Sequence, residues 1–342
     1  MELSKRKLDV LSAIVKSYIE TGEPIGSKSL MAMLENSPSS ATLRNEMNAL
    51  CGLGFLSQPH TSAGRTPTSM AYKLYVSNLM QPQSLQEQTK EFINSMLSQV
   101  GCDAETVPRT AASVLHRLTG YPVIFYNFVS EDVFVKQVRL LPVNRKTVVL
   151  LLILSDGRTK NSVCQIHSGT DADITTEFIK IVNRSVKGKR LNELTRAYMQ
   201  SIIAEAGINA LNLTPLFTAL FNIAQSACES STDIHGTSSL YNFFSDEQSE
   251  RIAMTASRES PADVLSLDGD DTEIIFGNDT ERDEFKNTVI IMSKFYRKDK
   301  FCGKIGIIGP DRMNYEQIIP SIEYISKKIT ALLTAAVDDM ED

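Results

Sequence analysis

The stretch that most constrains this chain runs from Ser37 to Pro67. Ser37-Pro-Ser-Ser-Ala-Thr-Leu-Arg-Asn-Glu-Met47 crowds small and polar residues ahead of apolar positions at helical spacing, the pattern of a capped helix. Gln58-Pro-His-Thr-Ser-Ala-Gly-Arg-Thr-Pro67 follows, a polar run that reads as a hairpin with Ala63-Gly64 at its tip and Phe55-Leu56 and Thr66-Pro67 as its arms. Two helical patterns come first. Leu8, Leu11, Val15, Tyr18 and Ile19 predict a helix over 4–21 ended by Thr21-Gly22 and Pro24, and Ser27 reads as the N-cap of a short helix to Leu34. Asn36-Ser-Pro-Ser39 is a turn, and Ser39 or Ser40 caps the third helix, which runs to about Leu53. Three helices and then a hairpin make a winged helix-turn-helix, an arrangement that offers its third helix to the major groove of duplex DNA.

Within that frame the residue types are specific. Leu43, Met47 and Leu50 share one apolar face of the third helix, while Ala41, Arg44, Asn45 and Asn48 turn away from it and Ser39, Ser40 and Thr42 occupy its first turn. Arg can take guanine O6/N7 as a bidentate pair, Asn can do the same with adenine, and hydroxyls at a helix N-terminus suit phosphates. In the hairpin, Arg65 follows Gly64 beside His60, Thr61 and Ser62, where an Arg at a wing tip can enter a minor groove or clamp a phosphate. Lys28, in the first turn of the second helix, is a candidate phosphate contact. The competing readings are an ordinary solvated helix face and a plain turn with a solubilising Arg. Helix followed by hairpin favours DNA.

Net charge is −6, but residues 1–80 hold eight Lys/Arg against six Asp/Glu (+2) and the remainder 27 against 35 (−8). Binding through one small face fits this balance; wrapping DNA around the body does not. Five dispersed cysteines without a C-x-x-C pair fit reduced thiols better than a disulfide framework or zinc site. The longest apolar run, Val148–Leu154, is far short of a membrane span, and Met1-Glu-Leu-Ser-Lys-Arg-Lys7 lacks the apolar core of a signal peptide. A cytoplasmic protein without membrane association is expected.

A fourth helix over 69–80 carries Tyr72, Tyr75, Val76 and Leu79 on one face, and the polar run 81–88 reads as a linker. Helical patterns near 89–100 and 108–119 precede strand-like runs at Val123–Val129 and Phe134–Val143. Val148–Leu154 and Ser162–His167 flank Ser155-Asp-Gly-Arg158, a hairpin turn. Three helical segments cover about 171–187, 191–206 and 214–230, and a polar, irregular stretch extends to about 270. Strands return at Glu273–Phe276, Val289–Tyr296 and Gly303–Ile308 before a closing helix over 314–335. Strands, helices, then strands again imply an α+β domain with a mainly helical insertion.

Other constellations read as structural. Gly303-x-x-Gly306-x-x-Gly309 lacks dinucleotide-fingerprint spacing, and Gly309-Pro310 looks like a strand-ending turn. Asp268-Gly-Asp-Asp-Thr-Glu273 is similar to a calcium loop, but Glu273 stands where Gly is needed and Asp279 where Glu is needed, so a solvated acidic loop is the better reading. His60, His116, His167 and His235 are scattered, and no catalytic, cofactor or metal motif emerges.

Ile14–Leu30, Ala41–Met47, Gln58–Pro67 and Gly303-Lys-Ile-Gly-Ile-Ile-Gly-Pro-Asp-Arg-Met-Asn-Tyr315 resemble the bacterial heat-inducible transcription repressor family HrcA. The resemblance implies a winged helix (1–80), a linker (81–88) and a GAF-like α+β domain in two segments (89–144 and 236–342), interrupted by a mainly helical dimerising insertion (145–235). It implies a homodimer on an inverted-repeat operator upstream of chaperone operons, kept active by a GroEL-type chaperonin and relieved when heat-unfolded clients occupy that chaperonin. No cofactor is implied. Cys51-Gly52 stands where the family usually has acidic residues, and Thr66 where Ile is common. Rival readings are a ligand-responsive winged-helix regulator sensing a small molecule through the GAF-like domain, an enzyme with an autoregulatory DNA-binding head, and a chaperonin-interacting module.

Overall fold

The computed structural model describes residues 3–34, 38–60, 63–81, 83–99, 105–144, 146–166, 172–205, 207, 210–258 and 270–341. Helix α1 (Lys5–Thr21) buries Val10, Leu11, Ile14 and Val15 and ends at Gly22, whose φ of 75° is left-handed. A Cβ at Gly22 would also run into the Arg312 guanidinium. Helices α2 (Ser27–Met33) and α3 (Ser40–Gly52) follow, then strands β1 (Leu56–Ser57) and β2 (Thr66–Pro67), paired antiparallel as Leu56 with Pro67 and Ser57 with Thr66. The expected fourth helix divides into α4 (Ser69–Leu74) and a π-helical turn, Tyr75–Leu79. The Ser77 hydroxyl donates to the carbonyl of Lys73 beside that widened turn.

The next elements are α5 (Glu87–Leu97), α6 (Thr106–Thr119) and β3 (Val123–Asn127). Strands β4 (Val135–Asn144), β5 (Thr147–Leu154) and β6 (Thr159–Gln165) make a three-stranded antiparallel sheet, with the expected turn between β5 and β6. Helices α7 (Ala172–Val186) and α9 (Ala210–Cys228) cover one face of it, and α8 (Arg196–Glu205) packs against both helices. Leu150, Leu152, Phe178, Phe217 and Leu220 lie in this unit's own core. Strand β7 (Ser231–His235) then leads through a 3₁₀ segment (Thr237–Asn242) to α10 (Asp246–Arg258). Strands β8 (Thr272–Phe276), β9 (Thr288–Arg297) and β10 (Lys300–Pro310) and helix α11 (Tyr315–Glu341) complete the chain.

A five-stranded antiparallel sheet ordered β7-β3-β10-β9-β8 is the body. Ile291, Phe295, Ile305 and Ile307 pack in one cluster with Ile322, Ile325 and Ile329 of α11, while Ile124, Ile290, Met292 and Ile308 pack in another with Leu240 and Ile252. Both faces are therefore covered, which explains the unbroken apolar run of β9.

Three expectations need correction. The stretch to residue 270 is not irregular where described: it holds β7 and α10. Strand β4 pairs with β5 and turns Val135 and Val138 into the insertion core, while β7 pairs with β3 of the body, so the sheets part near 128–133 and 228–231 rather than at 144/145 and 235/236. Glu273 is not in a solvated loop; it lies in β8 with its Oε2 2.7 Å from Nζ of buried Lys304. Asp268 and Gly269 of that motif lie outside the described residues, as do Cys102, His167 and Asn36 and Ser37 of the Asn36–Ser39 turn. His116 and His235, distant in sequence, meet edge to face at 5.5 Å.

The winged helix and body share one continuous core containing Leu11, Ile14, Tyr75, Leu115 and Ile322. Polar contacts lock the seam. Tyr75 Oη donates to Glu316 Oε1 (2.6 Å), Gln83 Nε2 donates to Oε2 (2.7 Å), and Lys16 Nζ lies 3.0 Å from Oε1. Burial pushes the Glu316 carboxyl upward, but the Tyr75 hydroxyl and Lys16 ammonium outweigh it and hold the pKa below its ordinary value. The Ser69 hydroxyl donates to Asp311, whose carboxyl burial pushes up, and Arg312 Nε donates to the carbonyl of Ile19.

Candidate nucleic-acid interface

Ser39 is the N-cap of α3: its Oγ accepts from the N–H of Thr42 at 3.2 Å and lies 2.9 Å from Thr42 Oγ1. Ser27 is the first residue of α2 rather than its cap, which is Gly26, and its Oγ sits 2.9 Å from Ser40 Oγ. That hydroxyl pair ties the starts of α2 and α3 together. Leu43, Met47 and Leu50 are buried, whereas Ala41, Arg44, Asn45, Asn48 and Ala49 are exposed along the opposite face. Lys28 is exposed at the start of α2.

The wing departs from expectation at its tip. Gly64 and Arg65 are at the base, where Arg65 and Ile25 exchange backbone hydrogen bonds of 2.9 and 3.0 Å. A Cβ on Gly64 would lie 2.5 Å from the Ile25 carbonyl, so this glycine permits a close approach of two backbones rather than a tight turn. Arg65 Nη2 donates to Asn48 Oδ1 at 2.8 Å, which couples the wing to the exposed face of α3. Beyond Gly64, the Ala63 N–H donates to the carbonyl of exposed His60. Thr61 and Ser62 lie outside the described residues. Thr66 is buried, and its hydroxyl is 2.8 Å from Ser57 Oγ, so the two arms satisfy each other's polar atoms.

A notch of about 140 Å³ opens between α2, α3 and the wing, lined by Gly26, Ser27, Arg44, Asn48, Ala63 and Arg65. Its walls are hydroxyl, amide and guanidinium donors with backbone at the rim, a donor set suited to a phosphate or a base edge. Sequence reasoning missed Lys5 and Arg6, which line a shallow groove beside Leu34 and Pro38, just ahead of α3. The Lys5-Arg6-Lys7 run was the available signal, although Lys7 is engaged by Glu46 at 3.3 Å. Among the described residues there is no cluster of three metal-ligating side chains, and no helix is long and apolar enough to cross a membrane.

Comparison with known proteins agrees with this geometry. Residues 2–80 match the family model described as "Winged helix-turn-helix transcription repressor, HrcA DNA-binding", and residues 105–319 match "HrcA protein C terminal domain". The chain is similar to the heat-inducible transcription repressor HrcA of Clostridium tetani (28% identical, covering 97% of this chain and 96% of the relative). It is likewise similar to that of Brevibacillus brevis (28%, covering 97% and 98%). A crystal structure of a hypothetical protein superposes with a TM-score of 0.75 at 20% identity, covering 98% of this chain and 100% of the other.

Proposed function

Because the chain belongs to the HrcA family of heat-inducible transcription repressors, whose members are not enzymes, we propose that it represses chaperone operons by binding an inverted-repeat operator as a homodimer. The observation that carries the reading is the exposed Arg44–Asn45–Asn48 face of α3, held in register with the wing by the Arg65–Asn48 hydrogen bond. In this reading Arg44 and Asn45 contact base edges. Lys28, Ser39, Ser40 and Thr42 position the helix on phosphates. The wing residues His60, Thr61, Ser62 and Arg65 follow the adjacent backbone.

The dimer is supported by β5. Its alternate residues Val148, Leu150, Leu152 and Leu154 are buried, yet the outward Val149, Leu151 and Ile153 are apolar too. Leu141, Val149 and Val163 align across the three strands on that outer face, with Leu141 50% and Val163 68% exposed. An apolar strand covered on one side only fits a second copy on the other. In this reading the inserted unit dimerises, and the five-stranded sheet with its helices is the GAF-like domain. The heat response, in which a GroEL-type chaperonin sustains repression and is titrated by unfolded clients, is part of the same proposal and rests on the family resemblance.

The test is binding of purified protein to an inverted-repeat chaperone-operon element and to the same half-sites rearranged, at fixed physiological salt, with and without chaperonin. Preference for the intact repeat, improved by chaperonin, supports the reading. Equal weak binding to both, unaffected by chaperonin, overturns it.

A further inference from the structure

A cavity of about 250 Å³ lies where the insertion meets the body, between Asn127 and Arg297 on one side and Asp156, Arg158 and Ser226 on the other. It is remote from α3 and the wing, and nothing in the operator reading uses it. Arg158, in the turn between β5 and β6, is only 8% exposed. Its Nε donates to Asp156 Oδ2 (2.6 Å) and its Nη1 to the carbonyl of Ala227 (3.3 Å), while Nη2 is buried without a hydrogen-bond partner. Arg297, at the end of β9, approaches the same Asp156 oxygen at 3.8 Å.

Two guanidinium groups thus share one carboxylate. The other wall charges are mostly engaged elsewhere: Lys160 is paired with Glu105 and Arg109 with Asp233, which leaves Glu229 as the remaining carboxylate of the lining. A buried guanidinium keeps its charge at any physiological pH, so the unpartnered Nη2 of Arg158 cannot be relieved by losing a proton. What satisfies a planar fork with a free nitrogen is a second oxyanion.

We propose that this cavity binds a small metabolite bearing a carboxylate or phosphate group, received by Arg158 and Arg297, and that the bound anion clamps the insertion to the body. The two sides of the cavity come from separate hydrophobic cores. Apart from the ion pairs Lys160–Glu105 and Arg297–Asp156 they are joined through the neck, where β3 leads out beside the returning β7 and Val129 N–H donates to Ser230 Oγ at 3.1 Å. A ligand spanning the cavity therefore adds a tie across a joint that the chain itself crosses only there. Its volume suits a compound of a few carbons rather than a nucleotide cofactor.

The experiment is thermal unfolding of the whole chain, without DNA, in succinate or inorganic phosphate up to about 20 mM against chloride at matched ionic strength. The expected result is a midpoint that climbs with anion concentration as for a single site. A response to phosphate points to phosphorylated compounds and a response to succinate to dicarboxylates. Arg158→Gln and Arg297→Gln should each weaken the response at least about tenfold, and Asp156→Asn, which removes the internal competitor, should strengthen it. If Arg158→Gln does not fold, Arg297→Gln and Asp156→Asn carry the test, since a purely structural role would lower the midpoint without changing its anion dependence. No response to either anion, or one that survives Arg297→Gln unchanged, overturns the proposal. Because no operator is present, either outcome leaves the DNA-binding reading where it stood.

Discussion

At the scale of single residues, the interface divides into groups that touch solvent and groups that hold those in place. Arg44 and Asn45 are free to meet base edges, so Arg44→Ala or Asn45→Ala should cost about 1–3 kcal/mol at the cognate operator and relax base preference. Lys28→Ala should instead weaken binding to every sequence and flatten the salt dependence by about one counterion. Titrations on cognate and scrambled duplexes at several salt concentrations separate the two, and an Arg44→Ala effect confined to the salt slope would remove Arg44 from base reading. Gly64 belongs to the second group. Gly64→Ala forces a methyl against the Ile25 carbonyl, and should cost about 1–3 kcal/mol of stability while moving the wing. Denaturant unfolding and operator affinity measured together would register both losses; unchanged values would show that the two backbones can separate freely. Glycine at this position was legible as a punctuator but not as a spacer, because the atom it avoids belongs to a segment before α2.

At the scale of elements, legibility followed how much of each element's code is local. Helix α3 could be read from Ser39 and the Leu43, Met47, Leu50 spacing alone, and its exposed face followed by subtraction. Helix α10 could not, since Ile252 is its fully buried apolar residue and its other signals are the acidic Asp246 and Glu247 in a first turn. Strand β7 offers Ile234 in a polar pentapeptide and is defined by pairing with β3. The N-terminus of α11 carries a property no local pattern announces: Glu316 is an anchor for three side chains of the DNA-binding domain and the segment behind it. With its pKa depressed in the folded state, it contributes stability that is present above its ordinary value of 4.5 and lost as pH falls through the folded value. Glu316→Gln should therefore destabilise by on the order of 1–3 kcal/mol at neutral pH, with the difference from the unmodified chain shrinking toward zero in acid. Urea midpoints across pH 3–8, roughly the carboxylate range and above, would check it. A pH-independent difference would mean that Glu316 acts through packing.

At the scale of the molecule, two separately cored units are joined by a narrow neck, and the DNA-binding domain is fused to the one that does not carry the exposed apolar sheet. The sequence pattern anticipated such an insertion but misplaced its limits, because β4 and β7 are assigned to their sheets by partners distant in the chain. If the outer face of β4, β5 and β6 joins two copies, Val163→Glu should yield monomers by sedimentation while leaving the far-ultraviolet spectrum intact. Those monomers should bind a single half-site as well as the unmodified protein does and lose the advantage of the inverted repeat. A dimer that persists would move the interface elsewhere.

The common core of the winged helix and body has a consequence for the DNA. A head on a flexible tether could slide to wherever its half-site happened to lie. Here Tyr75, Lys16 and Gln83 are bolted to Glu316, and Arg312 reaches the end of α1. If two copies join as proposed, each head is held rigidly on its own body like the jaw of a caliper: one added base pair between half-sites turns one of them by about 35° around the duplex axis and moves it about 3.4 Å along it. Spacing becomes part of the address, so an operator with every base intact but its spacer altered by half a turn, about five base pairs, should go unrecognised.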